Sequence, residues 1–504
     1  MHPTSQSFKD NAHSALTNDT LQRALRKATG RFVNERAHAV GERPDFQVLR
    51  EQGRAIKADA LERLPELLEQ FEEQVVARGG QVHWARTASE ANAIVLRIAK
   101  AEGVTRVVKS KSMATEETNL NEALEGGGLE VVETDLGEYI LQLDHDYPSH
   151  IIAPAVHKTK EQVADIFERE LHEKNPPDAG IPGLNAIARR ALRSKFLSSQ
   201  MGITGANFAV AETGTLVVVE NEGNAALTST VPRIHVAMVG IEKIVPRFDD
   251  LRVMLKLLAR SATGQRLTSY TNFLTGVAKE GLEGPRQLHI VLLDNGRTKI
   301  YDDPKLAGSL RCIRCGACLN ACPVYQKTGG HAYGWVYSGP IGAVITPQYL
   351  GVNNAQPLPF ASSLCGACYE VCPVKIEIPH MLLELRQKVI DGEIAKQAQD
   401  GEHAAKPRKS LDRIMEGLSF KMFSMAATRP WLWRLGTNIA RVLLRSKASG
   451  GQISSLPYPV VRNWTQVRDL PAPARESFMS QWRSQRGANA AVAEQAPPAE
   501  RKVE

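Results

Sequence analysis

All 7 cysteines of this 504-residue chain lie between positions 312 and 372. The first run reads Cys312-Ile-Arg-Cys315-Gly-Ala-Cys318-Leu-Asn-Ala-Cys322-Pro323, and the second Ser362-Ser-Leu-Cys365-Gly-Ala-Cys368-Tyr-Glu-Val-Cys372-Pro373. C-x₂-C-x₂-C-x₃-C-P is the spacing that holds a cubane iron–sulfur cluster. Three thiolates so closely spaced meet one cluster only if the chain loops tightly between them, and Gly316 and Gly366 permit that turn. Zinc uses pairs of C-x₂-C and four ligands per ion. It has no use for a third cysteine three residues on, followed by C-P, nor for that grammar twice.

The second run lacks one ligand. A copy of the first would carry cysteine at 362, where serine stands. In two-cluster sites the fourth cysteine of such a run reaches the other cluster. Crosswise assignment gives Cys312, Cys315, Cys318 and Cys372 to cluster one and Cys322, Cys365 and Cys368 to cluster two. The fourth position of cluster two is then a Ser362 alkoxide, a water, or an open corner. The expected cofactors are two [4Fe–4S] clusters, the second in part [3Fe–4S].

Length and 43% hydrophobic content suit two or three soluble domains with sizeable cores. No window carries about 18 uninterrupted apolar residues, so no membrane-spanning helix is expected. The polar first thirty residues do not read as a secretory signal. With every cysteine committed to metal, none is left for a disulfide, and a reducing cytoplasm is the expected setting. The net charge of +7 is concentrated: residues 404–447 hold ten Lys/Arg and two Asp/Glu. That segment reads as two basic amphipathic helices, Leu411–Met425 and Trp431–Arg445, after a polar linker at 394–409. It suits an acidic redox partner or the anionic inner face of a membrane, or else a helical cap. No nucleic-acid partner is expected.

Taken in order, residues 1–74 read as helices, with Pro65 starting or kinking one of them. Strands and helices then alternate. Strands are expected at Gln81–Ala85, Arg106–Lys109, Leu129–Glu133, His150–Ala153, Asn207–Ala211, Thr215–Glu220, His235–Val239 and His289–Leu293. Helices are expected at Ala91–Lys100 and Thr115–Leu124. This is an α/β domain over about 75–300, its sheet parallel except for a hairpin through Glu212-Thr213-Gly214. A cluster domain follows at 301–395, then a basic helical region at 396–484 and an unstructured tail at 485–504. His331, in the Gly/aromatic insert between the cysteine runs, is a further ligand candidate, although a loop histidine more often plays no such part.

Two polar groups in the α/β domain could carry chemistry. Lys109 and Lys111 sit at a strand's end before a helix, where anions are readily bound. Glu212 and Glu220 sit beside glycine turns, where a carboxylate can serve as acid or base. The plainer reading of both is solvated turns and strand ends.

The stretches VVKSKSMATEETNLNEAL, AETGTLVVVENEGNAALTSTVPRIHVAMVGIEKIVP and SSLCGACYEVCPVKI, with the first cysteine run, resemble the lactate utilisation protein B family along nearly the whole chain. The resemblance implies that residues 75–300 form a LUD domain of the NagB/RpiA/CoA-transferase type. An α-helical ferredoxin-like two-cluster domain and a helical C-terminal segment would follow. It also implies an electron-transport role in oxidising L-lactate to pyruvate with LutA-like and LutC-like subunits, and that serine at 362 is typical of the family. On this reading the chain is an electron-transfer component, not a stand-alone enzyme. One alternative makes the LUD domain itself the catalytic site for a small 2-hydroxy acid, the clusters wiring it to an acceptor. Another is a quinone-linked redox subunit acting on a different small acid.

Overall fold

The computed structural model describes residues 2–176, 179–391, 410–456, 465 and 468–494. The chain divides into two compact units, Met1–Ala405 and Lys406–Glu504.

Among the described residues of the first unit there are ten strands: β1 (Gln81–Ala85), β2 (Arg106–Lys109), β3 (Glu130–Glu133), β4 (Met201–Thr204), β5 (Phe208–Val210), β6 (Thr215–Glu220), β7 (Ile234–Gly240), β8 (Ile244–Val245), β9 (Tyr270–Leu274) and β10 (Gln287–Leu293). Six of them form one sheet in the order β1-β10-β7-β4-β2-β3. Every pairing in it is parallel, with Ile203 opposite Val236 and Met238 opposite Val291. Helices cover both faces, so the central strands β4, β7 and β10 are buried along almost their whole length and mostly apolar instead of alternating. One face packs Val107, Met201, Val236 and Val291 against helix Ala88–Ala101; the other packs Ala237, Val239 and Ile290 against Leu67 and Phe71 of helix Leu64–Val76.

The expected hairpin forms, but in a sheet of its own. β5 and β6 pair antiparallel inside a four-stranded sheet ordered β8-β5-β6-β9. Two further expectations fail locally. His150–Ala153 is a loop, not a strand, because the His150 ring accepts the N–H groups of Ile152 and Ala153 and turns the chain back on itself. The helix expected over Thr115–Leu124 is two, Met113–Glu117 and Leu120–Gly126, broken where Asn119 turns left-handed at φ 52°. Asparagine tolerates that conformation better than most residues.

The N-terminal residues are not an appendage. Helix Asp19–Gly41, capped by the Asn18 side chain on the N–H of Leu21, lies against the cluster-bearing helix Ala317–Ala321 and also against helix Leu251–Thr263. Pro65 stands in the first turn of helix Leu64–Val76, where its missing N–H costs nothing. Phe8, Leu25, Val217, Leu251 and Leu319 share one apolar core with Cys315, Cys318, Cys322, Cys368 and Cys372, and Cys312 packs against it. The cluster region and the α/β region are therefore welded along a common interior.

The second unit contains helices Ser410–Ala427 and Pro430–Arg445, a two-stranded ribbon of Gln452–Ile453 and Leu470–Pro471, and helix Phe478–Glu494. The expected linker at 394–409 lies outside the described residues. The last helix runs into the stretch at 485–504 expected to be unstructured, and 495–504 lie outside the described residues. Among the described residues no helix is long and apolar enough to cross a membrane.

Candidate functional site

The two cysteine runs fold as the same loop twice. Arg314 and Leu364, each just before a cysteine, take left-handed backbone at φ 59° and 54°. Gly316 and Gly366 follow at φ 72° and 85° and open five-residue helices, Ala317–Ala321 and Ala367–Val371. These two helices pack on each other, which brings the runs together.

The grouping that results crosses the sequence. Cys312, Cys315, Cys318 and Cys372 line one cavity, with Ile341, Val374 and Ile376 as its apolar wall. Cys322, Cys365 and Cys368 are electrostatic neighbours of one another. Burial raises the Cys315 and Cys368 thiols to about 12 and lifts the Cys318 thiol well above its ordinary value, each reinforced by neighbouring cysteines. Crowded, buried sulfurs of this kind are poor free thiolates and good ligands to a cation that relieves their repulsion. The donor set thus fits iron–sulfur clusters.

Hydrogen bonds to sulfur surround both groups. The N–H of Arg314 reaches Cys312 Sγ at 3.4 Å and that of Ile376 reaches Cys372 Sγ at 3.3 Å. Cys365 is exposed, and its thiol is held below the ordinary range by the N–H of Ala367 and then by Ser363. Ser362 Oγ accepts the N–H of Leu364 at 3.1 Å. His331 does not join the cysteines: its Nε2 bonds the Tyr147 carbonyl at 2.7 Å and its ring meets His157 edge-on.

The N-terminal helices supply cations that the sequence did not single out. Arg50 donates to the carbonyls of Cys372 (2.9 Å) and Tyr369 (3.1 Å), and Arg36 to that of Val371 (3.0 Å). His150 is equally unforeseen. Its Nδ1 accepts two N–H groups, so Nε2 carries the proton and donates to Asn320 Oδ1 at 3.0 Å, between Cys318 and Cys322. Burial lowers this imidazole to about 4, which keeps it neutral.

A second cavity, of about 250 Å³, lies where the α/β region meets the first cysteine loop. Residues following the C-terminal ends of β2, β4 and β7 line it, namely Lys111, Ala206 and Lys243, and Arg314, Cys315 and Tyr337 close it. Open parallel sheets bind ligands at this edge. Of the four residues considered in the sequence, Lys111 and Glu220 line the cavity and Lys109 and Glu212 do not. Lys109 is fully buried, with Glu133 at 2.8 Å, Glu116 at 3.0 Å and Glu138 at 3.9 Å; burial alone would lower its ammonium, but these carboxylates hold it well above the usual value. Glu212 caps a turn by accepting the N–H of Phe248 at 2.8 Å. Glu220 takes the N–H groups of Ala225 and Ala226 at 2.7 and 2.8 Å.

Family models agree with this architecture: LUD domain over residues 68–293, 4Fe-4S dicluster domain over 308–376, and Lactate utilisation protein B, C-terminal, over 385–487. Lactate utilization protein B of Bacillus licheniformis is 43% identical over 94% of this chain and 95% of its own length. Its namesakes from Bacillus pumilus (43% identity) and Bacillus cytotoxicus (42%) match over 94% and 95% of this chain and 96% and 97% of theirs. The chain belongs to the lactate utilization protein B family. As in the family models, the α/β region is a LUD domain and the cysteine region a 4Fe-4S dicluster domain. A solved DUF162 family protein from Deinococcus radiodurans covers 46% of this chain at TM-score 0.25 and 16% identity, a likeness too slight to bear on the fold.

Proposed function

We propose that this chain is the iron–sulfur electron-transfer subunit of a complex that oxidises L-lactate to pyruvate, working with LutA-like and LutC-like subunits. The observation that carries the reading is the crossing of the two cysteine runs, with Cys312, Cys315, Cys318 and Cys372 around one cavity and Cys322, Cys365 and Cys368 beside it. In this proposal the first four hold one cluster and the other three most of a second. Clusters so bound accept and release single electrons without bonding to substrate, and two in series match the two electrons that a 2-hydroxy acid gives up.

The protein's own residues tune and protect this function. The N–H groups of Arg314 and Ile376 stabilise charge on their sulfurs, and Ile341, Val374 and Ile376 keep water from the first group. Exposed Cys365 marks the side of the second group where an electron enters or leaves through contact with another protein. The test is anaerobic purification with and without the partner subunits, addition of L-lactate, and EPR of the clusters. Cluster reduction only with the partners present is the expected result; no reduction in either case would sink the reading in favour of another small acid.

A further inference from the structure

The charges around the 250 Å³ cavity fall into two groups. Beside the first cysteine loop stand Arg314 and Lys243. The Arg314 guanidinium lies over the Tyr337 ring at 4.6 Å, and its Nη2 is 3.4 Å from Glu242 Oε1. Its Nη1 is buried and has no hydrogen-bond partner, although the Arg314 side chain is only 6% exposed. Glu242 cannot satisfy it further, because Oε2 is held by Arg297 at 2.5 Å. Arg297 in turn pairs with Glu117 at 2.9 Å. Three cations, Arg297, Arg314 and Lys243, thus stand with two carboxylates, Glu117 and Glu242, and the Arg314 and Lys243 residues both line the cavity.

The other group is acidic and holds Asp135, Glu220 and Glu222, with Lys111 among them. Glu220 is consumed by the start of helix Asn224–Thr230 and by Asn272 at 2.7 Å. Glu222 accepts the N–H of Leu136 at 3.1 Å. Its side chain is exposed and lines the cavity beside Asp135.

We propose that this cavity binds a small hydroxy- or oxo-carboxylate, its carboxylate taken by Arg314 and Lys243 and its hydroxyl or oxo oxygen by Glu222 and Lys111. The proposal rests on the electron-transfer reading above and assigns the acid to this subunit. A guanidinium with an unfilled N–H suits a carboxylate, and a charge-assisted bond there is strong. An alcohol donates to a carboxylate such as Glu222; an oxo group accepts from Lys111. A dicarboxylate would drive its second charge into Asp135 and Glu222, and a neutral amide would leave Arg314 and Lys243 unanswered. Cys315 lines the same space, so the bound acid would lie beside the first group of cysteines.

The test is anaerobic titration calorimetry of the cluster-loaded full chain with L-lactate, pyruvate, lactamide and malate. Lactate and pyruvate should bind saturably, lactamide not at all, and malate about tenfold more weakly or worse. Lys243→Met should weaken lactate and pyruvate alike by about tenfold. Glu222→Gln, far from the cysteine loop in sequence, should weaken lactate more than pyruvate, and exposed Lys100→Met should change neither. No saturable binding by the parent, equal affinity for lactamide, or unaltered binding in both Lys243→Met and Glu222→Gln overturns the site. If the two cations serve only to offset thiolate charge, Lys243→Met shifts the cluster potential and leaves binding alone, which also overturns it. With partners added, lactate-driven cluster reduction without binding to this chain alone defeats the site and spares the electron-transfer reading. Binding without reduction does the reverse.

Discussion

Ser362 is the structural counterpart of Cys312. Each stands two residues before a left-handed residue whose N–H it accepts: Leu364 on Ser362 Oγ at 3.1 Å, Arg314 on Cys312 Sγ at 3.4 Å. The register that aligns the two runs in sequence therefore has a counterpart in hydrogen bonding. A hydroxyl in place of sulfur gives a hard ligand that parts reluctantly with its proton, or merely a turn cap.

We expect the second cluster to be the more oxygen-labile and to lose one iron. Ser362→Cys should complete the thiolate set and suppress the three-iron EPR signal after exposure to air. Decay identical to the parent's would mean that position 362 does not face the cluster.

Crosswise ligation predicts that Cys372→Ala damages the same EPR signal as Cys312→Ala despite their separation in sequence, and that Cys322→Ala pairs with Cys365→Ala. Anaerobic protein should contain roughly seven or eight iron atoms per chain with matching sulfide. Stoichiometric zinc without sulfide would refute the assignment.

Arg297 joins Glu117 and Glu242 in the interior, with Tyr337 donating to Glu117 at 2.6 Å. Arg297→Met leaves two buried carboxylates with reduced compensation and should cost about 3–5 kcal/mol. Tyr337→Phe removes one hydrogen bond from a carboxylate still held by Arg297, at about 1–2 kcal/mol. Apparent melting temperatures of the anaerobic proteins should rank parent, Tyr337→Phe, Arg297→Met from high to low.

His235 is buried on β7, paired with Thr204 Oγ1 at 2.8 Å, and burial lowers its imidazole to about 4. An unfolded histidine titrates near 6.5, so between those values only the unfolded chain takes the proton. The stability this neutral ring contributes is intact above about pH 6.5 and declines as pH falls toward 4, by up to about 3 kcal/mol. His235→Gln should reduce the drop in apparent melting temperature between pH 7 and 5. An undiminished drop would show that other groups carry the acid sensitivity.

Helices Ser410–Ala427 and Pro430–Arg445 carry Phe420, Trp431, Trp433 and Val442 exposed, beside Lys421, Arg434 and Arg441. Deleting 404–504 should spare the clusters and weaken association with the partner subunits or with anionic vesicles. Parent binding should fall as salt rises, since exposed charges are screened over about 10 Å at 0.1 M. Association that survives the deletion would reduce this segment to a cap.

Spacing alone determined much of this protein. Cysteine intervals are local constraints, so the cubane motif, the missing eighth ligand and the crossed assignment are all legible at Cys312–Cys372. Runs such as Val236–Gly240 in β7 and Ile290–Leu293 in β10, apolar throughout, announce strands buried on both faces. Tertiary structure decided what local pattern cannot encode. Lys109 and Lys111 are two residues apart, yet the first is sealed among three carboxylates and the second faces a cavity, because β2 ends at Lys109 and Lys111 lies beyond it in the loop before helix Met113–Glu117, free of the strand's alternation. Arg36, Arg50 and Lys243 carry no motif; only packing brings the first two to the cysteine loops and sets the third beside the cavity. Charge acts through distance, and distance between residues remote in sequence exists only once the chain has folded.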